Sequence, residues 1–239
     1  MAFETVDFPA DEVELKSLTS AGTNLFNNII CPFGQRSLWT AVEIGSPFRM
    51  IDVPLSSMPP AYGQLVNRYE TVPCLYDEGV AVFESAIVAE YLDAKFGEGR
   101  LFCRDSPAMA SLHRLVSSKF EIGAFYGLLR NKDSEKRAEL EGEIHATLTE
   151  LETIYRDNAA AYRANGPFLL GSRFSAAEIM IMPFLYRFQA ILAHYRSFDV
   201  LGKYPLLRAA FEASKERPAF KESSRPEQFY IEAYASYAN

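Results

Sequence analysis

Residues 31–36 read Cys31-Pro32-Phe33-Gly34-Gln35-Arg36 and mark the point where a loop becomes a helix. Proline suits the first helical position because the N–H that it lacks would find no helical partner there. Cys31 is therefore predicted at the helix N-cap, where unpaired N–H groups and the positive end of the helix dipole lower the pKa of a thiol from about 8.5 to roughly 3.5–7.5. We expect a nucleophile that is ionised at neutral pH. The alternative is a small buried hydrophobic residue, since free cysteine is commonly buried.

A proline opens the strand-like run Thr71-Val72-Pro73-Cys74. Proline is tolerated in a sheet only at a first or edge position. If the Val72–Pro73 bond is cis, the backbone of Val72 is exposed and can pair with an extended peptide. Cys74 should then point into the sheet and act as a structural residue.

The pair Glu84-Ser85 stands at the start of a third notable segment, a helix with apolar residues on one face. Together with the free N–H groups of the helix start, Ser85 can hold a carboxylate. The alternative is that the two side chains only cap the helix.

Short apolar runs and helical patterns alternate over the first part of the chain. Strands are predicted at 13–18, 48–53, 72–76 and 80–83, and helices at 31–44, 61–68 and 84–96. The last two strands are separated by the turn Asp77-Glu78-Gly79, which is too short for anything but an antiparallel hairpin. The order βαβαββα predicts a small mixed sheet covered by helices.

Strand signals disappear after Gly97-Glu98-Gly99-Arg100, and helical periodicity replaces them. We therefore expect an α/β domain over 1–99 and an all-α helical bundle over 107–239. The clearest helix is predicted at 134–162. Ser175 and Glu178 have the spacing of a capping box at the start of a buried helix.

Composition and charge exclude several classes of protein. The net charge of −7 gives no positive field for phosphate backbones, so we expect no nucleic-acid partner. The acidic N-terminal segment does not resemble a secretory signal and no run is long enough to span a membrane, so a cytoplasmic location and no membrane span are expected. The three cysteines form neither a disulfide framework nor a paired zinc motif, and no metal is expected. Cys103 is expected to be exposed in a linker.

These segments together resemble the glutathione transferase superfamily, and the resemblance covers nearly the whole chain. CPFGQR (31–36), NRYETVPCL (67–75) and FESAIVAEYLD (83–93) are most similar to the cysteine-containing omega and lambda classes and to related thiol-dependent reductases. The segment at 166–188 is similar to the capping-box helix of the second domain. The resemblance implies a thioredoxin-like first domain, a homodimer, and glutathione as co-substrate. It also implies site residues: Cys31 as the nucleophile that forms a mixed disulfide, Phe33 lining the site, Val72 before a cis-Pro73 pairing with the cysteinyl backbone, and Glu84 with Ser85 taking the γ-glutamyl end.

The chain departs from this family at three places. Many relatives have a lysine before the Val-Pro that contacts the glycine carboxylate, but residues 54–70 contain none. Residues 21–30 separate the expected first strand from Cys31 by roughly ten more residues than the family resemblance leads us to expect. Gly34 stands where a second cysteine would allow a dithiol mechanism, so an external thiol, most simply a second glutathione, must resolve any mixed disulfide.

Three aromatic residues of the helical half, Phe120, Phe125 and Tyr126, are candidates for a second-substrate wall in a cleft between domains. Aromatic residues at this spacing more often reflect burial, so we interpret them first as core.

The function predicted from these residues is glutathione-dependent thiol transfer or reduction, acting on disulfides, glutathionylated thiols or dehydroascorbate. Arg36 either assists electrostatically or is a solvated helix residue. Glutathione conjugation to electrophiles is the alternative within the enzyme class. A non-catalytic interaction module of the same fold is the alternative outside it, and Glu84-Ser85 argues against the chloride-channel branch, which is expected to lack this pair.

Overall fold

The structure, a computed structural model, describes residues 3–162 and 165–238. Its internal contacts divide the chain into two compact units, Met1–Arg100 with Pro218–Ser224, and Leu101–Arg217 with Arg225–Asn239. The predicted domain ranges of 1–99 and 107–239 stay a prediction. In the structure, the segment 218–224 groups with the first unit.

The first unit contains a five-stranded mixed sheet in the order β1-β3-β2-β4-β5. Strands β1, β3 and β2 are parallel to one another, whereas β4 is antiparallel to both β2 and β5. The elements are β1 (Glu4–Asp7), α1 (Glu12–Ser20), β2 (Thr23–Asn27), α2 (Pro32–Ile44), β3 (Arg49–Asp52), α3 (Pro60–Leu65), β4 (Cys74–Asp77), β5 (Val80–Phe83), α4 (Ser85–Phe96) and α10 (Pro218–Ser223).

The predicted βαβαββα order is confirmed as β2-α2-β3-α3-β4-β5-α4. The strand predicted at 13–18 is wrong, because this segment is helix α1. The side chain of Asp11 caps it by accepting from the N–H of Val13 (2.7 Å), and Leu15 and Leu18, three residues apart, turn into the core while Val13 is 75 % exposed. The first strand of the order is therefore β2, and β1-α1 precedes it.

The predicted hairpin is confirmed, with β4 and β5 in register from Cys74–Phe83 to Asp77–Val80. Glu78 and Gly79 at its turn both have positive φ, 50° and 83°, as a two-residue hairpin turn with the twist of its strands requires. The turn fixes where β5 ends, and hence where α4 begins.

Hydrophobic cores lie on the two faces of the sheet. One contains Leu25, Leu38 and Leu92, contributed by β2, α2 and α4. The other contains Leu15, Phe26 and Tyr62, contributed by α1, β2 and α3. Helix α10 packs against α2, with the ring of Phe220 edge-on to Trp39 at a centroid distance of 4.9 Å. Helix α2 is thus held on the sheet side and on its outer side.

The second unit is helical, as predicted. Its helices are α5 (Pro107–Lys119), α6 (Gly123–Arg130), α7 (Ser134–Thr153), α8 (Ala176–Arg196), α9 (Pro205–Lys215), α11 (Glu227–Ala233) and α12 (Ala235–Ala238). Helix α7 is shorter than the 134–162 predicted, because a π-helical turn over Ile154–Asn158 follows it. The capping box of Ser175 and Glu178 is confirmed at the start of α8.

Helix α8 is the central helix of the second unit. It is the one described helix long and apolar enough to cross a membrane by length and composition, and 89 % of its most apolar 18-residue window is buried inside the structure. This burial identifies it as a core helix rather than a membrane span.

Candidate active site

Cys31 is the N-cap residue of α2, as the Cys-Pro pair predicted, with extended backbone angles of φ −73° and ψ 121°. Its N–H donates to the carbonyl of Asn28 (3.1 Å), and its own carbonyl accepts from the N–H of Gln35 (3.0 Å). These bonds fix the thiol at the positive end of a helix of 13 residues. The side chain is half-buried, so it is accessible to a small reactant.

A cavity of about 320 Å³ opens over this thiol. This volume lies in the range of small-molecule sites, roughly 300–1,000 Å³. All its described lining residues belong to the first unit, and they are Cys31, Phe33, Leu55, Met58, Glu70, Thr71, Val72, Pro73, Glu84 and Ser85. The structure therefore brings together all six residues expected to form the thiol and glutathione site.

The Val72–Pro73 peptide bond is cis, as the glutathione-site hypothesis required. The carbonyl of Val72 lies 3.9 Å from Cys31 Sγ. The preceding residue is anchored, because the carbonyl of Thr71 accepts from the hydroxyl of Tyr62 (2.6 Å) and from the side-chain amide of Asn67 (2.7 Å). This loop therefore presents its backbone beside the thiol from a fixed position.

Glu84 and Ser85 stand where β5 passes into α4. Glu84 is the N-cap residue of α4 with a φ of 67°, and among the described contacts its carboxylate caps no helix N–H. Glu84 therefore stands at the cap position without supplying a capping hydrogen bond from its side chain, and it lines the cavity. The hydroxyl of Ser85 is buried and accepts a hydrogen bond from Arg36 Nη1 (3.2 Å).

The sequence left two roles open for Arg36, electrostatic assistance or a solvated position on the helix. In the structure the side chain is not solvated. Only 9 % of it is exposed, and its guanidinium lies 5.2 Å from the centre of the Phe33 ring. Burial lowers the pKa of Arg36 to about 10, while the charge of Cys31 acts in the opposite direction. The side chain thus stays cationic at neutral pH, and it contacts both a site aromatic residue and Ser85.

Four lining residues were not identified from the sequence: Leu55, Met58, Glu70 and Thr71. All belong to the segment between β3 and β4. Leu55 and Met58 lie outside any motif, whereas Glu70 and Thr71 lie within NRYETVPCL (67–75), which did not mark them as site residues. Leu55 is 39 % exposed, which is unusual for leucine, but only the structure shows it.

Phe120, Phe125 and Tyr126 lie in the second unit. Phe120 and Phe125 are buried, with Phe125 stacked on Phe188 at 4.6 Å, and Tyr126 is half-buried against the same ring at 5.0 Å. This packing matches their interpretation as core residues, and their role as a second-substrate wall stays a prediction.

The other two cysteines are both buried. Cys74 faces inward as predicted, and burial raises the pKa of its thiol to about 12. Cys103 was expected to be exposed, but its side chain is buried in the second unit. Within 3–162 and 165–238, no group of three His, Cys, Asp or Glu side chains is placed to hold a metal ion.

Two family models match the chain. Residues 30–95 match the glutathione S-transferase N-terminal domain, and residues 117–223 match the glutathione S-transferase C-terminal domain. The first match contains every described residue that lines the cavity.

The curated proteins and solved structures that resemble this chain likewise include glutathione transferases. The chloroplastic glutathione S-transferase DHAR3 of Arabidopsis thaliana is 30 % identical, over 80 % of this chain and 67 % of the relative. Glutathione S-transferase DHAR2 of the same plant is 27 % identical, over 87 % and 91 %. A trimeric glutathione transferase from Leishmania superposes with a TM-score of 0.81 and 28 % identity over 91 % of this chain, which spans about half (49 %) of the Leishmania chain.

Proposed function

The chain belongs to the glutathione S-transferase family, and from this premise we propose that it is a glutathione-dependent thiol transferase or reductase with Cys31 as nucleophile. One observation carries the proposal: a half-buried thiol at a helix N-terminus opens into a ligand-sized cavity beside the cis Val72–Pro73 bond. A thiolate makes covalent thiol exchange more natural than conjugation, in which a hydroxyl group activates glutathione without becoming attached to it.

Glutathione is proposed to bind along the cavity with its thiol toward Cys31. The backbone of Val72 pairs with the cysteinyl unit, and Phe33 forms one wall. Glu84 and Ser85 take the γ-glutamyl end, since a carboxylate and a helix N-terminus with a hydroxyl suit its ammonium and carboxylate groups. Residues 54–70 contain no lysine for the glycine carboxylate, so that end of glutathione is held without one.

The chemistry follows thiol–disulfide exchange in two balanced steps. The Cys31 thiolate attacks the glutathionyl sulfur of a mixed disulfide, an S–S bond to Cys31 forms, and the substrate leaves as a thiolate. The thiolate of a second glutathione then attacks the glutathionyl sulfur of this intermediate, the S–S bond to Cys31 breaks, and oxidised glutathione and the Cys31 thiolate are released. Dehydroascorbate is a further proposed acceptor, because two glutathione molecules supply the two electrons that its reduction needs.

A homodimer and a cytoplasmic location belong to the same proposal. The homodimer rests on the family resemblance, and the cytoplasmic location is the expectation drawn from the sequence. The Leishmania relative is described as trimeric and the first Arabidopsis relative as chloroplastic. Light scattering coupled to size exclusion tests the dimer directly, and a measured trimer mass would replace it.

Intact-mass analysis after incubation with oxidised glutathione, followed by a hydroxyethyl-disulfide reduction assay, tests the mechanism. The wild type should carry one glutathionyl adduct and turn over, Cys31→Ser should lose both, and the matched control Cys103→Ser should keep both, because Cys103 is buried. A folded wild type without adduct or turnover would end the thiol-transferase proposal and leave conjugation to be assayed. Failure of conjugation as well would leave the interaction module.

A further inference from the structure

Arg36 connects the proposed nucleophile with the proposed γ-glutamyl site. It lies on α2, the helix that Cys31 begins, and its Nη1 donates to the hydroxyl of Ser85 at 3.2 Å. The guanidinium also lies over the ring of Phe33, 5.2 Å from its centre, within the range of a cation–π contact. One side chain therefore contacts two residues that line the cavity.

The charge of Arg36 is unusual for this location. A cation that is only 9 % exposed loses most of its hydration, which is costly unless nearby groups compensate. Two carboxylates, Glu70 and Glu84, line the cavity, and the described lining residues include no Lys, Arg or His. Arg36 contacts two of the lining residues, Phe33 and Ser85, so it places a cation next to the cavity, and the charge of Cys31 opposes the lowering of the Arg36 pKa by burial.

The two carboxylates and the guanidinium act on the thiolate in opposite directions. Glu70 and Glu84 disfavour a further negative charge in the cavity, whereas Arg36 and the N-terminus of α2 favour it. Without the guanidinium, the helix N-terminus alone would have to overcome two carboxylates.

We propose that Arg36 is a positioning residue for thiol transfer, which stabilises the Cys31 thiolate and holds the Ser85 hydroxyl toward the ligand. Its role in turnover rests on the proposed function, but its effect on Cys31 does not depend on glutathione. Ligand binding at Ser85 and ionisation at Cys31 therefore share one side chain.

The test measures the rate of iodoacetamide alkylation of Cys31 against pH, followed by intact mass, which uses no glutathione. Arg36→Met removes the charge, Arg36→Gln removes it but retains an amide donor for Ser85, and Arg36→Lys retains the charge. The control Arg49→Met makes the same change in net charge at an exposed arginine that pairs with Glu4 outside the cavity.

Both neutral Arg36 variants should move the midpoint of the alkylation profile upward by about one pH unit or more, since an opposite charge nearby shifts a pKa by about that amount. Below both midpoints this corresponds to alkylation about tenfold slower or more. The midpoint of Arg36→Lys should lie within about half a pH unit of the wild-type midpoint. The midpoint of Arg49→Met should equal that of wild type. If Arg36→Met does not fold, Arg36→Gln gives the same comparison.

A folded neutral variant with the wild-type midpoint would overturn the proposal. Turnover gives the second measurement: the deficit of Arg36→Gln in disulfide reduction should shrink as the pH rises and its thiolate fraction recovers, whereas a general packing defect would persist at every pH. If wild type forms no glutathionyl adduct, the proposed function fails, while the alkylation profile still decides whether Arg36 controls Cys31.

Discussion

Asn27, at the end of β2, occupies the space that a side chain at position 34 would need. Its side-chain amide donates to the carbonyl of Gly34 (3.1 Å), and its Oδ1 lies 1.9 Å from the place of a Cβ on Gly34. Both residues are buried. Helix α2 therefore approaches β2 so closely that a glycine is needed, and the position where a second cysteine would stand has no room for one.

Gly34→Ala should lower the free energy of unfolding by about 1–3 kcal/mol, the usual effect of overpacking, although alanine favours a helix over glycine by about 1 kcal/mol. Urea unfolding followed by circular dichroism measures this. The control Gly142→Ala, in α7 with nothing within 4 Å of the added Cβ, should stabilise by about 0.5–1 kcal/mol. A Gly34→Ala variant that is stabilised by about as much as Gly142→Ala would show that Asn27 moves aside without cost.

Only Cys31 should react with iodoacetamide in the native protein at pH 8. Cys31 is half-buried, whereas Cys74 and Cys103 are fully buried. Burial raises the pKa of Cys74 to about 12, so roughly one molecule in 10⁴ carries that thiolate at pH 8. Intact mass should show one adduct on the native chain, three after denaturation, and none on native Cys31→Ser. Two native adducts would mean that a core thiol opens to solvent.

The sequence predicts the core of the site because its signals are local. Cys31-Pro32 marks a helix start by chemistry that needs no partner, and the short turn before Val80 allows only an antiparallel hairpin. Each of these signals places a site residue. The first places the Cys31 thiol at the N-terminus of α2, and the second places Glu84 directly after the hairpin.

The segment VELKSL (13–18) fits the period of a strand and that of a helix equally well, so periodicity does not identify helix α1. Val13, Leu15 and the alternating polar residues indicate a strand, but Leu15 and Leu18 also share a helix face. Asp11 followed by Glu12 and Glu14 was the available signal, since a capping acid and an acidic first turn are typical of a helix start. The strand that precedes α2 is β2, Thr23–Asn27, which lies within residues 21–30.

The burial of Arg36 could not be predicted in the same way. It depends on where β5 places Ser85 relative to α2, which is a tertiary arrangement of segments distant in sequence. Leu55, Met58 and Glu70 join the site for the same reason. Periodicity identifies helices and strands, but it does not show which loops meet around a thiol.

Asp77→Asn should destabilise the first unit by about 1–3 kcal/mol, because hydrogen bonds to charged groups are worth about that much. Its buried carboxylate accepts hydrogen bonds from Thr23 of β2 (2.9 Å) and from Tyr91 (2.5 Å) and Lys95 of α4. Asp77 therefore connects β4 to β2 and to α4. Burial raises the pKa of Asp77, but these bonds outweigh burial, so the pKa lies below its ordinary value.

A group whose pKa is lower in the folded state stabilises the protein above its unfolded pKa, about 3.9, and loses that contribution as the pH falls through the folded pKa. The difference in melting temperature between wild type and Asp77→Asn should therefore be constant from pH 5 to 7 and shrink below about pH 4. The exposed control Asp105→Asn, whose partner Arg173 is 3.6 Å away, should change stability by less than about 0.5 kcal/mol. A gap that persists at pH 3 would assign the effect to packing instead.

Glu178 is the residue on which the N-terminus of α8 most depends. Its carboxylate, fully buried, accepts from the N–H of Leu169 (2.7 Å), the hydroxyl of Tyr155 (3.1 Å) and the N–H of Ser175 (3.2 Å). Glu178→Ala would leave these three donors without their acceptor and should cost about 2–4 kcal/mol in unfolding free energy, since each buried unsatisfied group costs about 1–3 kcal/mol and water recovers a part. Urea unfolding at pH 7 measures it, with Glu150→Ala, at an exposed position of α7, as the matched control that should stay within about 0.5 kcal/mol of wild type. Equal effects of the two substitutions would mean that the capping box contributes nothing beyond helix propensity, and that the apolar face of α8 alone holds the second unit together.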